Sequence, residues 1–160
     1  MIDTARNPDR RRLRLAAPDE LRTEIDRIVA ADKAGRLRRG GNWTAGQAFG
    51  HVAAWINYAY EGYPIHPPFF IRWILQLRRA KYLRDGMPTG VRIPRVKDGT
   101  FGTELRSTDE GADRLRRALD RMEREPAKFD SPAFGKMPDA DRIQFNLRHA
   151  ELHLGFLHPQ

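Results

Sequence analysis

The chain has 160 residues, a formal net charge of +8 and no cysteine, with 40% hydrophobic and 31% charged residues. These proportions are typical of a soluble globular protein, and the length predicts a single domain over residues 1–160. Without cysteine there are no disulfides, thiolate metal sites or cysteine nucleophiles, so a metal ion would be bound through nitrogen and oxygen. No apolar stretch resembles a signal peptide or could cross a bilayer, which predicts a cytoplasmic protein without a membrane partner.

The positive charge comes mainly from arginines, which are grouped at residues 10–12, 38–39 and 78–79. Each group adjoins apolar residues at helical spacing, a pattern typical of a solvated helix face. Aromatic residues are not interleaved with the arginines as they are in a platform that stacks nucleic-acid bases. The composition therefore favours an Arg-rich surface over a nucleic-acid partner.

The predicted elements begin with a loosely held basic arm over residues 1–15. Pro18 and the acidic residues after it predict a first amphipathic helix that continues to about Ala34. Asn42 and Thr44 are both suited to cap a second helix, which runs from about residue 45 to residue 61 and stops at Gly62.

The second half of the chain predicts three further helices and one long loop. A third helix covers about residues 69–84, and a segment without helical periodicity follows at residues 86–107. A fourth helix begins after the Ser107 capping box and ends before Pro126. A final helix covers about residues 139–157. The third helix carries five apolar side chains, which are Phe70, Trp73, Ile74, Leu77 and Leu83. We expect its aromatic residues to lie in the core and not to bind a cofactor.

The long loop at residues 86–107 has glycines and four apolar side chains, which are Met87, Val91, Ile93 and Phe101. Loops of this length inside a compact domain are usually functional or flexible. The sequence therefore predicts a lid or wall at the mouth of a site, and a β-hairpin or irregular cover over the side of the helices is the equal alternative.

Two histidines four residues apart lie on the final helix. Residues so spaced share one helix face, so His149 and His153 can bind one metal ion. In the similar H-E-x-x-H motif the general base directly follows the first histidine, whereas Ala150 stands there in this chain. Glu151 is about 200° around the helix from His149, which disfavours a metalloprotease of that type.

His51 lies on the second helix and can supply a third imidazole if that helix faces the final one. A single histidine on an apolar helix is more often a hydrogen-bonded core residue than a metal ligand. The presence of the pair His149 and His153 nevertheless favours a ligand role for His51. We expect neither His66 nor His158 to be a ligand. His66 lies between prolines in a stiff turn, and His158 is about 140° from the face of His153.

No convincing strand alternation is present, so the pattern predicts an all-α protein with four principal helices and a shorter fifth, arranged as a bundle. Three segments carry a resemblance: residues 41–47 (GNWTAGQ) with His51, residues 86–94, and residues 134–137 with His149 and His153. The chain resembles the DinB-like (damage-inducible, YfiT-like) superfamily of four-helix-bundle metalloproteins, and within it a bacterial family of unknown function.

The resemblance implies a divalent metal ion, zinc or nickel, held by His51, His149 and His153. It also implies a homodimer and the reaction classes of the relatives, which include thiol-dependent transferases, isomerases and some hydrolases. Members of the family often have a further histidine beside the second ligand, where this chain has Leu152 and Leu154.

Gln47, Asn146 and Trp43 are candidates for the surroundings of the metal or for the pocket, although Gln47 and Asn146 could equally be satisfied within the bundle. No general base is visible on the face of the histidine pair. Three hypotheses follow. The first is a metal-dependent transferase or hydrolase that acts on a small molecule, with a low-molecular-weight thiol as the expected co-substrate, and the second is a non-catalytic metal-binding or stress-associated module. The third is a nucleic-acid binder that uses the Arg-rich surface.

Overall fold

The computed structural model describes residues 9–94, 96, 99–104 and 107–160. This part of the chain is mostly helical and contains six helices and one small antiparallel sheet of two strands. The elements are α1 (Pro18–Lys33), β1 (Leu37–Arg39), α2 (Ala45–Glu61), α3 (Phe69–Leu77), α4 (Arg79–Asp85), α5 (Thr108–Arg124), α6 (Asp139–Leu154) and β2 (Leu157–Pro159). Among the described helices, none combines the length and the apolar character that a bilayer span requires.

The central helix is α2, in which 12 of 17 residues are buried. It begins with a capping box, in which Thr44 Oγ1 accepts a hydrogen bond from the Gln47 amide and Gln47 Oε1 accepts one from the Thr44 amide. Alanine and glycine make up much of its surface, so neighbouring helices can pack on more than one side.

The closest neighbour of α2 is α5, and two glycines allow this approach. A Cβ atom added at Gly111 would lie 2.8 Å from the Gly46 carbonyl oxygen, which is too close for any other residue. Leu115 and Leu119 of α5 are fully buried in the core beside this contact. The packing fixes α2, and therefore the side chain of His51, relative to the rest of the core.

The remaining core side chains of the helices come from α1 and α6. Leu21 and Ile25 of α1 and Leu147 and Leu154 of α6 are fully buried. Neither α3 nor α4 contributes a buried residue. The core is therefore built by the four long helices α1, α2, α5 and α6.

The loosely held arm predicted over residues 1–15 is wrong for residues 9–15, and residues 1–8 lie outside the described residues. Arg11 donates to the Leu157 carbonyl oxygen at 2.6 Å and to Glu24 Oε1 at 2.5 Å. The Leu15 amide donates to Glu151 Oε1 at 2.6 Å, and the Leu15 side chain is buried. The arginine group at residues 10–12 is thus on an extended segment bound to α6 and β2, and not on a solvated helix face.

The final helix ends at Leu154, three residues earlier than predicted, and the sequence did not predict the sheet that follows. Strand β2 pairs with β1 in the register Leu37↔Pro159 and Arg39↔Leu157. Strands of three residues are too short to show alternation, and Pro159 argues against a strand. The pairing attaches the C-terminus to the connection between α1 and α2.

The predicted third helix is two helices, and its expected place in the core is wrong. The break lies at Arg78, between α3 and α4. α4 packs on α6, and Tyr82 contacts Phe134, which in turn contacts Phe145 of α6. The apolar side chains of α3 remain exposed because no other described helix covers them.

Candidate metal centre

Three imidazole rings meet between α2 and α6. His149 Nε2 lies 3.1 Å from His51 Nε2 and 3.0 Å from His153 Nε2. Each histidine offers a ring nitrogen within 4.8 Å of those of the other two. The predicted convergence of His51, His149 and His153 is therefore present, with two rings from one face of α6 and the third from the facing side of α2.

The backbone of the long loop orients the ring of His51. His51 Nδ1 lies 2.6 Å from the Phe101 carbonyl oxygen, which can only accept a hydrogen bond. Nδ1 therefore carries the proton, and the lone pair of Nε2 is directed to the other two rings. Histidine ligands of metal ions commonly have such a second hydrogen bond, because it fixes the tautomer and the ring orientation.

Gly102 allows the loop to lie directly against α2 at this point. Its φ is +77°, and an added Cβ atom would be 2.6 Å from the Ala54 Cβ and 3.3 Å from the His51 Cα. Any side chain at this position would push the loop outwards. The glycine thus holds the Phe101 carbonyl within hydrogen-bonding distance of His51.

Burial keeps all three rings neutral. It lowers the pKa of His51 to about 4, against smaller opposing effects of the Phe101 carbonyl and the charge of Glu104. Burial, and then the charge of His51, lowers the pKa of His149 and His153 well below the ordinary value. Neutral imidazole is the form that binds a metal ion, so at neutral pH no proton has to leave before binding.

The short distances between ring nitrogens fit a shared cation better than hydrogen bonds among the rings. His51 Nε2 has only a lone pair, so a hydrogen bond to it needs the proton of His149 Nε2. That proton cannot also be directed to His153. The contact between His149 Nε2 and His153 Nε2 then lacks a linear hydrogen bond. A divalent ion would be bound by all three lone pairs at once, and imidazole nitrogen is a common ligand of zinc and nickel.

Two tryptophans form the wall around the rings. Trp43 stacks on His153 with a centroid distance of 4.9 Å and an interplanar angle of 20°. Trp55 lies edge-on to His51 and His149, with ring-centroid distances of 6.1 and 6.0 Å. Trp55 Nε1 is buried without a hydrogen-bond partner among the described residues. An unpaired buried donor is costly, so the Trp55 N–H is a polar group of this wall that the described residues leave unsatisfied.

The other two candidates for the surroundings of the site have structural partners. Gln47 closes the capping box of α2 and donates from Nε2 to the Thr103 carbonyl oxygen at 3.3 Å. It therefore ties the loop to α2 one turn before His51. Asn146 donates to the Arg142 carbonyl oxygen within α6, at 3.0 Å. Of the three candidates, Trp43 is the one whose side chain contacts the imidazoles.

The remaining histidines and Glu151 lie elsewhere, as the sequence predicted. His158 Nε2 is 3.3 Å from the carbonyl oxygen and from a carboxylate oxygen of Asp9. His66 is exposed in the turn before α3. Glu151 accepts hydrogen bonds from the Leu15 amide and from Arg148, on the side of α6 away from the rings.

The long loop contacts the site through residues 101–103, as the contacts of Phe101, Gly102 and Thr103 show. This part is a wall of the site, as predicted, and a movement of the loop as a lid stays a prediction. Residues 95, 97, 98, 105 and 106 of the predicted loop lie outside the described residues. Val91, which was expected to pack, is 72% exposed.

Sequence reasoning missed three features of the site. The Phe101 carbonyl is a backbone group, so no residue type signals it. Trp55 follows His51 by one helical turn, but nothing in the sequence indicates that its N–H would be buried without a partner among the described residues. Glu104, in the loop, is the carboxylate whose charge acts on His51, and its position depends on how the loop folds back.

Comparison with known proteins gives one finding. The model of a family described as "Protein of unknown function (DUF1569)" matches residues 7–160. No curated protein and no solved structure matches the chain.

Proposed function

This chain belongs to the DUF1569 family of proteins of unknown function, and we propose that it is a divalent-metal-dependent enzyme that acts on a small molecule. The observation that carries the proposal is the convergence of three neutral imidazole nitrogens on one point. The Nε2 atoms of His51, His149 and His153 would hold the ion. Zinc and nickel are the proposed metals, because both suit imidazole ligands and the chain has no thiolate to select a softer ion.

We also propose that α1, α2, α5 and α6 form a four-helix bundle of the DinB-like kind. These four helices supply the core, and a cluster of metal ligands between facing helices is typical of bundle sites. In this arrangement α2 provides one ligand and α6 provides two, while the loop at residues 99–104 covers one side.

The residues around the three histidines would orient the ligand rings and bind the substrate. The ion, when bound, would act as a Lewis acid whose positive charge favours the anionic form of water or of a thiol. The Phe101 carbonyl holds His51 in one tautomer, and Trp43 limits the rotation of His153. The Trp55 N–H has no partner among the described residues, and in this proposal it would donate a hydrogen bond to an acceptor atom of the substrate.

The proposed reaction is a thiol-dependent S-transfer or a hydrolysis. A thiol nucleophile would have to come from solution, as a low-molecular-weight thiol, because the chain has no cysteine. Three histidine ligands carry no charge, so the full charge of the ion would remain available to stabilise a thiolate or a hydroxide. The resemblance to the DinB-like superfamily supports this reaction class.

A panel of electrophilic substrates tests the proposal, each assayed with and without a bacterial thiol. The wild type is compared with His149→Ala, which removes the central ligand, and with His158→Ala, which removes a histidine outside the site. We expect turnover in the wild type and in His158→Ala, and none in His149→Ala or after chelation. Turnover that survives both the substitution and the chelator would refute the mechanism.

A second candidate is a metal-binding module without catalysis. It is supported by the lack of a general base, since no carboxylate among the described residues forms a hydrogen bond to the three rings. Water exchange on the loaded protein distinguishes the two functions. An exchangeable water ligand supports the enzyme, whereas a closed coordination shell together with an inactive panel supports the module.

A further inference from the structure

Helix α3 presents its apolar side to solvent. Phe69, Trp73 and Leu77 follow each other at intervals of four residues along one stripe, and they are 83%, 64% and 67% exposed. Phe70, Ile71 and Ile74 widen this face and are 53%, 39% and 46% exposed. No residue of α3 is buried. Contiguous apolar surface of this kind marks a site of interaction, whereas isolated exposed apolar residues are ordinary.

The same region holds most of the net positive charge of the chain. Residues 62–94 contain six basic residues and one acidic residue, a net charge of +5 out of the total of +8. The basic residues are Arg72, Arg78, Arg79, Lys81, Arg84 and Arg92. The single acid, Asp85, pairs with Lys81 and Arg84 within α4. Arg72 and Arg78 are exposed on and directly after α3, beside the apolar stripe.

We propose that α3 and the basic residues around it form a docking surface for an anionic lipid bilayer. Helices that lie in the membrane surface combine large apolar and aromatic side chains on one side with arginine and lysine beside them. The aromatic and leucine side chains of α3 enter the boundary between headgroups and acyl chains. Arg72 and Arg78 lie at the level of the lipid phosphates.

This surface binding needs no helix that spans the bilayer. Nine residues make a helix of about 14 Å, which is too short to cross the hydrocarbon but sufficient to lie along its surface. The expectation that the chain has no membrane partner depended on the lack of a spanning segment, and it does not address an interfacial helix. Helix α4, which packs on α6, attaches the docking surface to the folded core.

Charge favours a bilayer over a second copy of the chain on the same face. In a two-fold symmetric dimer both copies contribute the same patch, so two surfaces that each have exposed basic residues such as Arg72 and Arg78 would be brought together. An anionic membrane instead has a charge opposite to that of the patch, and each basic residue near its surface strengthens binding. The high pI of about 10.4 acts in the same direction.

Sedimentation of the full chain with vesicles tests the proposal. We expect binding to vesicles of phosphatidylcholine mixed with phosphatidylglycerol, and at least about tenfold weaker binding to phosphatidylcholine alone. High salt should release the protein, because it screens the attraction between exposed charges. Equal binding to both kinds of vesicle, or binding to neither, would overturn the proposal.

Two variants assign the binding to this surface. The triple variant Phe69→Ser, Trp73→Ser and Leu77→Ser should weaken vesicle binding by about tenfold or more, because three large apolar side chains are lost. Phe129→Ser, which removes an exposed aromatic residue outside the region, is the matched control. Unchanged vesicle binding by the triple variant would contradict the assignment.

The charge variant gives an independent measurement that leaves the apolar face intact. Arg72→Gln with Arg78→Gln should weaken binding about fivefold per arginine. Arg39→Gln with Arg124→Gln alters the net charge equally at exposed positions outside the region, and it should bind more tightly than the first pair. An equal loss of vesicle binding in the two double variants would show that binding depends on the net charge of the chain, and it would contradict the assignment to this surface. A dimer in solution that dissociates in the triple serine variant, without vesicle binding by the wild type, would identify a second copy as the occupant and refute the proposal.

Discussion

Helices α2 and α3 are both rich in apolar residues, yet one is the centre of the core and the other is exposed. In α2, small residues let α5 and α6 approach closely, so that even a histidine is buried at 2% exposure. In α3 the apolar residues are large, and a turn with three prolines separates the helix from α2. The comparison shows that periodicity tells which residues share a face, while the neighbours decide what that face contacts.

The largest expected effect on the buried side of this comparison is at the metal centre. His149→Ala removes the ring whose Nε2 atom lies about 3 Å from the Nε2 atoms of both His51 and His153. We expect metal affinity to fall by more than about a thousandfold, since loss of a residue that only orients a ligand already costs 10- to 100-fold. Titration with zinc against a competing chelator measures this.

His66→Ala and His158→Ala are the matched controls, because both change a histidine that lies away from the cluster. Each should keep the metal stoichiometry and affinity of the wild type. Loss of the ion in either control, or an unchanged affinity in His149→Ala, would contradict the assigned ligands.

The burial of His51 predicts a pH dependence in the metal-free protein. The folded-state pKa of about 4 lies below the ordinary value of 6.5. Between these values the unfolded chain binds more protons than the folded one, so the free energy of unfolding decreases as the pH falls through this window. For His51 alone the decrease is on the order of 3 kcal/mol.

Urea unfolding at pH 7 and at pH values down to 4, with a chelator present, measures this dependence. His51→Gln lacks the titrating ring and should show a smaller decrease than the wild type. A wild-type free energy of unfolding that stays constant across the window would show that the rings are not buried as described.

A substitution at Gly102, where the loop meets α2, should have an intermediate effect on metal affinity. Gly102→Ala introduces a Cβ atom 2.6 Å from Ala54 and strains a φ of +77°. The Phe101 carbonyl would move away from His51, and we expect metal affinity to fall by about 10- to 100-fold. Gly86→Ala, at a φ of +92° with open space around it, is the control for backbone strain alone. Equal metal affinities in the two variants would show that the loop does not orient His51.

The smallest expected effect is on the exposed helix. Leu77→Ala, at 67% exposure in α3, should change the free energy of unfolding by no more than about 0.5 kcal/mol. Leu115→Ala, the same change at a fully buried position of α5, should cost about 2–5 kcal/mol. Urea unfolding of both variants measures the difference. A large decrease in the free energy of unfolding of Leu77→Ala would mean that α3 is covered in solution, and it would contradict the contrast between α2 and α3.

The sequence predicted most of the helical segments and the His149/His153 pair because these depend on local spacing. The i, i+4 arrangement of His149 and His153 puts two rings together on any helix, and the apolar surroundings of His51 directed it inwards. The bounds of α2 match the predicted residues 45–61, because Thr44 and Gly62 are strong start and stop signals.

Several of the failures concern contacts between segments distant in the sequence. Strands β1 and β2 pair across more than one hundred residues, so neither three-residue segment carries a sign of its partner. The contact of Leu15 with Glu151 and Arg148 makes residues 9–15 part of the fold, and nothing in their polar, basic sequence indicates it. The exposure of α3 was missed for the converse reason, because its apolar residues are typical of a core helix.

The most direct test of the central claim is the metal content of the protein purified without an affinity tag. We expect about one divalent ion per chain in the wild type, with X-ray absorption showing imidazole nitrogen at about 2.0–2.1 Å for zinc. His51→Ala and His149→Ala, purified in the same way, should lack the ion. A wild-type protein that contains no divalent ion and binds none when zinc or nickel is added would contradict the account.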